Sequence, residues 1–294
     1  MEGKVVVITG ATSGIGKVAA EKLAAMGARI VLVARDKVRG EAAMARLGDL
    51  GPGLAHSIHY ADLTRLAEMK RVAVEIAAAE PRIDVLINNA GALFGFWEMT
   101  EDGLELTFAL NHLSYFVLTH GLRERLLASA PARVVNTTSD AHKGKKLNFN
   151  DLQAVHGYKP FNAYGRSKLC NILFTRELAR RLRGSGVTAN CFHPGFVNTR
   201  FGDESGGLMS YGIRIGKAFA LTPEKGAETL VYLASSPELA SVTGGYFYKC
   251  RRATPTKEAQ DNASAHRLWV ESAQLASIDE NEFPPALSVL PGPA

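Results

Sequence analysis

Little in this chain invites a metal, a disulfide or a membrane. Its 294 residues hold three cysteines, Cys170, Cys191 and Cys250, scattered without the paired spacing of a zinc site or a disulfide framework. Unpaired thiols at that density suit a reducing compartment, and a cytoplasmic protein is expected. The eight histidines form no H-E-x-x-H motif, so no metal site is expected. No stretch approaches the ~18 apolar residues a membrane helix requires, so no span is expected. A strand-like run begins at Lys4, so no secretory signal is expected before it. Charge is thin as well: 34 basic and 29 acidic side chains leave a net +5. The basic residues form only short clusters. Lys143, Lys145 and Lys146 read as a solvated loop, while Arg180, Arg181 and Arg183 read as a helix C-terminus whose cations suit the dipole. Neither is a stripe, so a nucleic-acid partner is not expected.

What is present is an ordinary globular composition, 46% hydrophobic and 21% charged, with no internal repeat. Strand-like and helix-like stretches alternate, which points to an α/β fold: one Rossmann-type doubly wound domain over 1–276, with about seven parallel strands and helices on both faces. The expected strands are Lys4–Thr9, Arg29–Ala34, His56–Ala61, Ile83–Ile87, Arg133–Thr138, Val187–Phe192 and Gly245–Tyr248. Most are continuous apolar runs, as strands buried on both faces should be. His56 and His59 read as edge-strand residues. Residues 196–221, rich in Gly, Phe, Tyr and Met, form a candidate lid or a plain surface loop. Thr222-Pro223 opens a further helix, and another is expected near Glu258–Ala276. The last stretch, 277–294, carries four prolines and reads as a loosely held tail.

The first strand runs into Gly10-Ala-Thr12-Ser13-Gly14-Ile15-Gly16, followed directly by a helix. A glycine loop between a strand and a helix presents its amides and the helix N-terminus to a pyrophosphate. After the second strand stand Arg35, Asp36 and Arg39. A guanidinium there suits a 2′-phosphate and hence NADP(H), whereas an acid at that point would suit a free ribose hydroxyl. Asp62 either meets the adenine or caps a helix near Thr64. Asn88-Asn89-Ala90-Gly91 and His193-Pro194-Gly195 end later strands and belong to the same crevice. Asn111 interrupts an apolar helical stripe, where a buried amide would hold a water or a carbonyl. Ser139 stands just beyond the fifth strand.

Tyr164-Gly-Arg-Ser-Lys168 places a phenol and an ammonium one helical turn apart. An ammonium nearby favours the phenolate, which would bring the tyrosine toward neutral pH as a general acid/base. His142 and His193 adjoin this region and are expected to hydrogen-bond rather than react. Phe94, Phe96, Trp97, Phe149, Phe161, Phe196, Phe201 and Tyr211 flank the crevice segments. They suit an apolar substrate or, equally, lid and core packing.

The ordered set Thr9-Gly10-x-x-x-Gly14-x-Gly16, Asp62, Asn88-Asn89-Ala90-Gly91, Asn111, Ser139, Tyr164-x-x-x-Lys168 and Pro194-Gly195 resembles the short-chain dehydrogenase/reductase family over roughly residues 3 to 275. Asn111-His112-Leu113, Ser139-Asp140-Ala141-His142, Ser167-Lys168-Leu169 and Gly186-Val187-Thr188 are similar to its retinol-dehydrogenase-like branch. The resemblance implies NADP(H), an apolar aldehyde, ketone or alcohol as substrate, and a possible homo-oligomer. It implies Tyr164 as proton donor and acceptor, Ser139 on the substrate oxygen, Lys168 on the ribose, and Asn111 holding a relay water. It also implies cofactor contacts from Leu63, Asn89, Ala90, Gly91, Pro194, Gly195, Val197 and Thr199. Two departures stand out: many animal members of the branch carry an N-terminal anchor, and Cys170 replaces their usual alanine. Leu169-Cys170-Asn171 is similar to the light-dependent protochlorophyllide reductases, which carry an insertion not found here. The other reading is a non-catalytic cofactor sensor or scaffold on the same fold.

Overall fold

A computed structural model describes residues 1–51, 53–197 and 221–281. Most of the proposed lid, including Phe201 and Tyr211, and the tail beyond Asn281 lie outside the described residues.

The strands form because consecutive side chains feed two cores at once. In β1 (Val5–Thr9), Val6 and Ile8 enter one buried cluster and Val7 the other. In β2 (Arg29–Ala34), Ile30 and Leu32 face the first and Val31 and Val33 the second. Alternation of direction with no alternation of polarity marks a sheet covered on both sides. β3 (Ser57–Tyr60), β4 (Val85–Asn88), β5 (Ala132–Thr137), β6 (Val187–Phe192) and β7 (Tyr246–Tyr248) continue the sheet. The order is β3-β2-β1-β4-β5-β6-β7-β8, with every pair from β3 to β7 parallel. The sequence expectation of about seven parallel strands is met, and one strand is added. β8 (Arg251–Ala253) runs antiparallel to β7, joined through Lys249 and Cys250, both at positive φ.

Helices α1 (Gly14–Ala25), α2 (Lys37–Leu50) and α3 (Leu66–Ala79) link the first four strands. The long helix expected around Asn111 is interrupted. α4 (Leu106–Phe108) passes into a π-helical turn, Ala109–Leu113, and then into α5 (Ser114–Gly121), which α6 (Arg123–Ala128) follows. A π turn inside a helix re-aims the residues within it and is often found at functional sites. α7 (Pro160–Arg181) carries Tyr164 and Lys168, and α8 (Pro223–Ser235) starts at Thr222, whose hydroxyl accepts from the Lys225 amide as the sequence suggests. The last helical stretch divides into a short turn at Glu258–Gln260 and α9 (Asn262–Ala276), capped by Asp261. Past α9, Trp269 and Arg181 both donate to the Glu280 carbonyl, which ties the first part of the expected tail to the core.

Candidate active site

The strand order reverses between β1 and β4. A crevice opens there, at the carboxyl ends of the parallel strands. The cavity has a volume of about 620 Å³. Gly10, Thr12, Ser13, Gly14, Ile15 and Gly16 line one part of it, with Arg35, Arg39, Asp62 and Leu63 alongside. Asn89, Ala90, Gly91, Ser139, Tyr164, Lys168, Pro194, Gly195 and Val197 line the rest. Of the residues anticipated at the site, Asn111 lies behind the wall and Thr199 lies outside the described residues.

The glycine loop is shaped by close approach. A Cβ on Gly16 would meet the Gly10 carbonyl oxygen at 2.4 Å, and one on Gly10, at φ +67°, would meet the Ala90 Cα at 2.7 Å. Asn89 locks the loop from the neighbouring strand, donating to the carbonyls of Thr9 and Gly10 at 3.1 Å each. The Thr9 hydroxyl in turn accepts from the amides of Asn89 and Ala90. At the N-terminus of α1, Ser13 makes no side-chain cap and no acid stands in the first turn. Its first amides and positive dipole end are therefore suited to an anion. Close backbone, helix N-terminus and two arginines beyond β2 together fit a phosphorylated dinucleotide. Asp36 caps α2, accepting from the Arg39 amide at 2.8 Å, and pairs with the Arg39 guanidinium at 3.1 Å. Asp62 accepts from the Thr64 amide and hydroxyl in the turn before α3, rather than capping that helix, and it lines the crevice.

At the other end of the crevice, Ser139 caps a short turn and hydrogen-bonds the Tyr164 hydroxyl. Burial pushes that hydroxyl up to about 12, with the Ser139 hydrogen bond opposing. The Lys168 ammonium lies 5.6 Å from the centroid of the Tyr164 ring and is itself pulled down to about 7 by burial. Desolvation of both groups therefore outweighs the expected draw of the lysine on the phenol. Lys168 donates to the Thr137 carbonyl at 3.3 Å. A Cβ on Gly91 would meet Lys168 Nζ at 3.3 Å and Asn111 Oδ1 at 3.0 Å, so only glycine leaves both undisturbed.

Asn111 is fully buried, and its amide is spent on the chain: it accepts from the Ala92 amide and donates to the Ala92 carbonyl, each at 2.9 Å, and to the Ser167 hydroxyl at 3.1 Å. Its side chain thus holds a carbonyl, one of the two roles open to it. Several residues that the sequence did not mark also converge here. Asn171 donates to the carbonyls of Asn111 and Thr137, and Asn136 bridges Asn88 and Thr175. Polar residues on the inner stripe of α7, at Asn171 and Thr175, were the available signal.

Asp140 pairs with Lys143 and accepts from the Tyr246 hydroxyl at 3.2 Å, and His193 Nε2 lies 3.4 Å from it. His193 stacks on Tyr248 with centroids 4.0 Å apart. His142 donates to the Ser139 carbonyl at 2.7 Å. Both histidines are hydrogen-bonded, as anticipated. Of the eight aromatics, the six among the described residues divide. Phe161 and Phe196 line the crevice, Phe94 and Phe149 join the core, and Phe96 and Trp97 are exposed. No group of acids, cysteines and histidines able to hold a metal occurs among the described residues, and no described helix is long and apolar enough to cross a membrane.

The sequence matches the family model for short chain dehydrogenases over residues 4–206. It is 42% identical to human retinol dehydrogenase 13, covering 94% of this chain and 86% of that protein. It is 40% identical to mouse retinol dehydrogenase 14, covering 95% and 87%. Among solved structures, a protein from Mycobacterium paratuberculosis aligns with a TM-score of 0.75 at 32% identity, covering 94% of each chain. The Pseudomonas aeruginosa RhlG/NADP active-site complex aligns at 0.67 and 28%, covering 84% of this chain and 94% of that one. The chain belongs to the short-chain dehydrogenase/reductase family, in its retinol-dehydrogenase-like branch.

Proposed function

We propose that this protein is an NADP(H)-dependent oxidoreductase that interconverts an apolar carbonyl compound and its alcohol, with Tyr164 as general acid and base. The observation that carries the reading is the neutral, half-buried Tyr164 hydroxyl bonded to Ser139 in the same crevice as the glycine loop and Arg35.

The cofactor would be held by the loop amides and the α1 N-terminus at its pyrophosphate and by Arg35 and Arg39 at a 2′-phosphate. Asp62 and Leu63 would flank the adenine, Lys168 and the Asn89–Gly91 segment the ribose, and Pro194 to Val197 the nicotinamide. When bound in reduced form it supplies the hydride. A phenol whose pKa is pushed up to about 12 stays protonated at neutral pH and is a donor to a carbonyl oxygen. Ser139 is placed to hydrogen-bond that oxygen as negative charge grows, a stabilisation of about 3 kcal/mol in comparable sites. Phe161, Phe196 and the stacked His193–Tyr248 pair give the substrate end an apolar wall. The thiols are all unpaired, which supports a reducing, cytoplasmic setting.

The test is NADPH oxidation against aldehydes and ketones of rising chain length. Turnover should improve with apolar length, and Arg35→Ala should weaken NADPH by about tenfold while leaving NADH unchanged. No turnover across the panel despite tight NADPH binding would return the chain to a sensing or scaffolding role. A preference for NADH would remove the 2′-phosphate assignment.

A further inference from the structure

Behind the crevice wall runs a buried hydrogen-bonded chain that the mechanism above does not use. It begins on α9 at Ser272, whose hydroxyl lies 2.9 Å from His112 Nε2. His112 Nδ1 lies 3.2 Å from Asn171 Oδ1. Asn171 Nδ2 then reaches the Asn111 carbonyl at 2.8 Å and the Thr137 carbonyl at 3.4 Å. Ser272, His112 and Asn171 are all fully buried. The Thr137 carbonyl is the same one that receives the Lys168 ammonium.

The direction of every bond in this chain follows from counting donors and acceptors. Two carbonyls can only accept, so the NH₂ of Asn171 must face both of them. A flipped amide would set an oxygen against two oxygens in a buried site. Its own oxygen then needs a donor, which fixes the His112 proton on Nδ1. The imidazole is neutral, since full burial pulls its pKa down to about 4. Nε2 is left with a lone pair, which Ser272 satisfies with its hydroxyl proton. The tautomer and the amide orientation thus have one consistent assignment, reached without reference to the substrate.

We infer that Asn171, oriented by His112 and Ser272, is a positioning residue for Lys168. It fixes the Thr137 carbonyl that aims the ammonium, and it holds the Asn111 carbonyl in the π-helical turn. Asn171 and Lys168 lie three positions apart on α7, so both reach the same carbonyl from one face of the helix. The chain links α9, α7, the π turn and the end of β5. Four elements are thereby joined at the point where the ammonium must be placed. The inference rests on Lys168 being part of the catalytic machinery.

The experiment compares Asn171→Asp, His112→Asn, Ser272→Ala, Thr175→Val and Lys168→Met in the full chain, with NADPH and the best carbonyl substrate from the panel. Asn171→Asp keeps the shape but turns an oxygen toward the two carbonyls. It should lower kcat by about 30-fold while both KM values stay within about threefold, because misplaced groups cost rate more than affinity. His112→Asn keeps a donor near the Nδ1 position and should retain more activity than Asn171→Asp, and Ser272→Ala should lower kcat by about threefold. Thr175→Val removes the bond to the Asn171 carbonyl without touching its amide. It should lower thermal stability while leaving kcat near wild type. A common loss of stability with unchanged kcat in the Asn171, His112 and Ser272 variants would overturn the inference. If Asn171→Asp fails to fold, the kcat of Ser272→Ala and His112→Asn decides it alone. Unchanged kcat in Lys168→Met would instead overturn the assignment of the lysine, and the positioning role with it.

Discussion

The two faces of the sheet are built on different terms. Where α1 covers it, the strands present Val6, Ile8, Ile30, Leu32, Val85 and Ile87, all apolar and all buried. On the opposite face, under α5 and α7, β4 and β5 turn Asn88 and Asn136 inward as register partners. Asn88 donates to Asn136 and Thr119, Asn136 donates to Thr175, and Thr175 donates to the Asn171 carbonyl. A buried polar group costs about 1–3 kcal/mol when left without a partner, so such a ladder is stable only if it is satisfied nearly throughout. The apolar face can tolerate small changes of shape because its contacts are non-directional. The polar face holds α7 in one register, which a face of leucines would specify less sharply.

The largest single-residue effect that could break this comparison is on Asn136. Asn136→Leu removes a donor from Thr175 and an acceptor from Asn88, and should cost about 3 kcal/mol of unfolding free energy in a urea titration. A loss below about 1 kcal/mol would mean the ladder is incidental.

Acid should find the polar face next. Burial pulls His112 and His120 down to about 4 from 6.5. The unfolded chain therefore binds protons between those values that the folded chain refuses. Their contribution is complete above pH 6.5 and is lost as pH falls toward 4, about 2 kcal/mol for each histidine at pH 5. Denaturant midpoints at pH 7.5 and pH 5 measure it, and His120→Leu should remove about 2 kcal/mol of the difference.

A smaller effect concerns the cofactor. Lys168, pulled down to about 7, loses its proton as pH rises through neutrality. Fluorescence titration of NADPH should show affinity weakening by about tenfold from pH 6 to pH 8.5, with the dependence flattened in Lys168→Met. The smallest effect is expected on the apolar face, where Ile30→Val should cost only about 1 kcal/mol and leave the pH dependence of stability unaltered.

How much of this was legible in the sequence follows the same division. Most of the parallel strands and the glycine loop declare themselves, since doubly covered strands are continuous apolar runs and glycines mark close backbone approach, while β3, half-buried at the sheet edge, shows only a weak alternation. The crevice residues were legible because strand ends converge there. The π turn at Ala109–Leu113 was hidden, because an apolar stripe read at 3.6 residues per turn does not register one extra residue. β8 was hidden for another reason: its three residues include two arginines, and the Lys249-Cys250 turn lacks the Asn-Gly signal of a tight hairpin. Asn171 and Asn136 were passed over because their meaning depends on which helix meets which strand. The effect of Lys168 on Tyr164 was read from spacing, and spacing does not report burial, which raises the Tyr164 pKa instead.

The central claim is that Tyr164 transfers the proton, and single-turnover reduction of a carbonyl substrate by enzyme preloaded with NADPH tests it most directly. In Tyr164→Phe the rate should fall by about 10²–10⁴-fold with NADPH affinity within about threefold of wild type. A rate close to wild type would contradict the account.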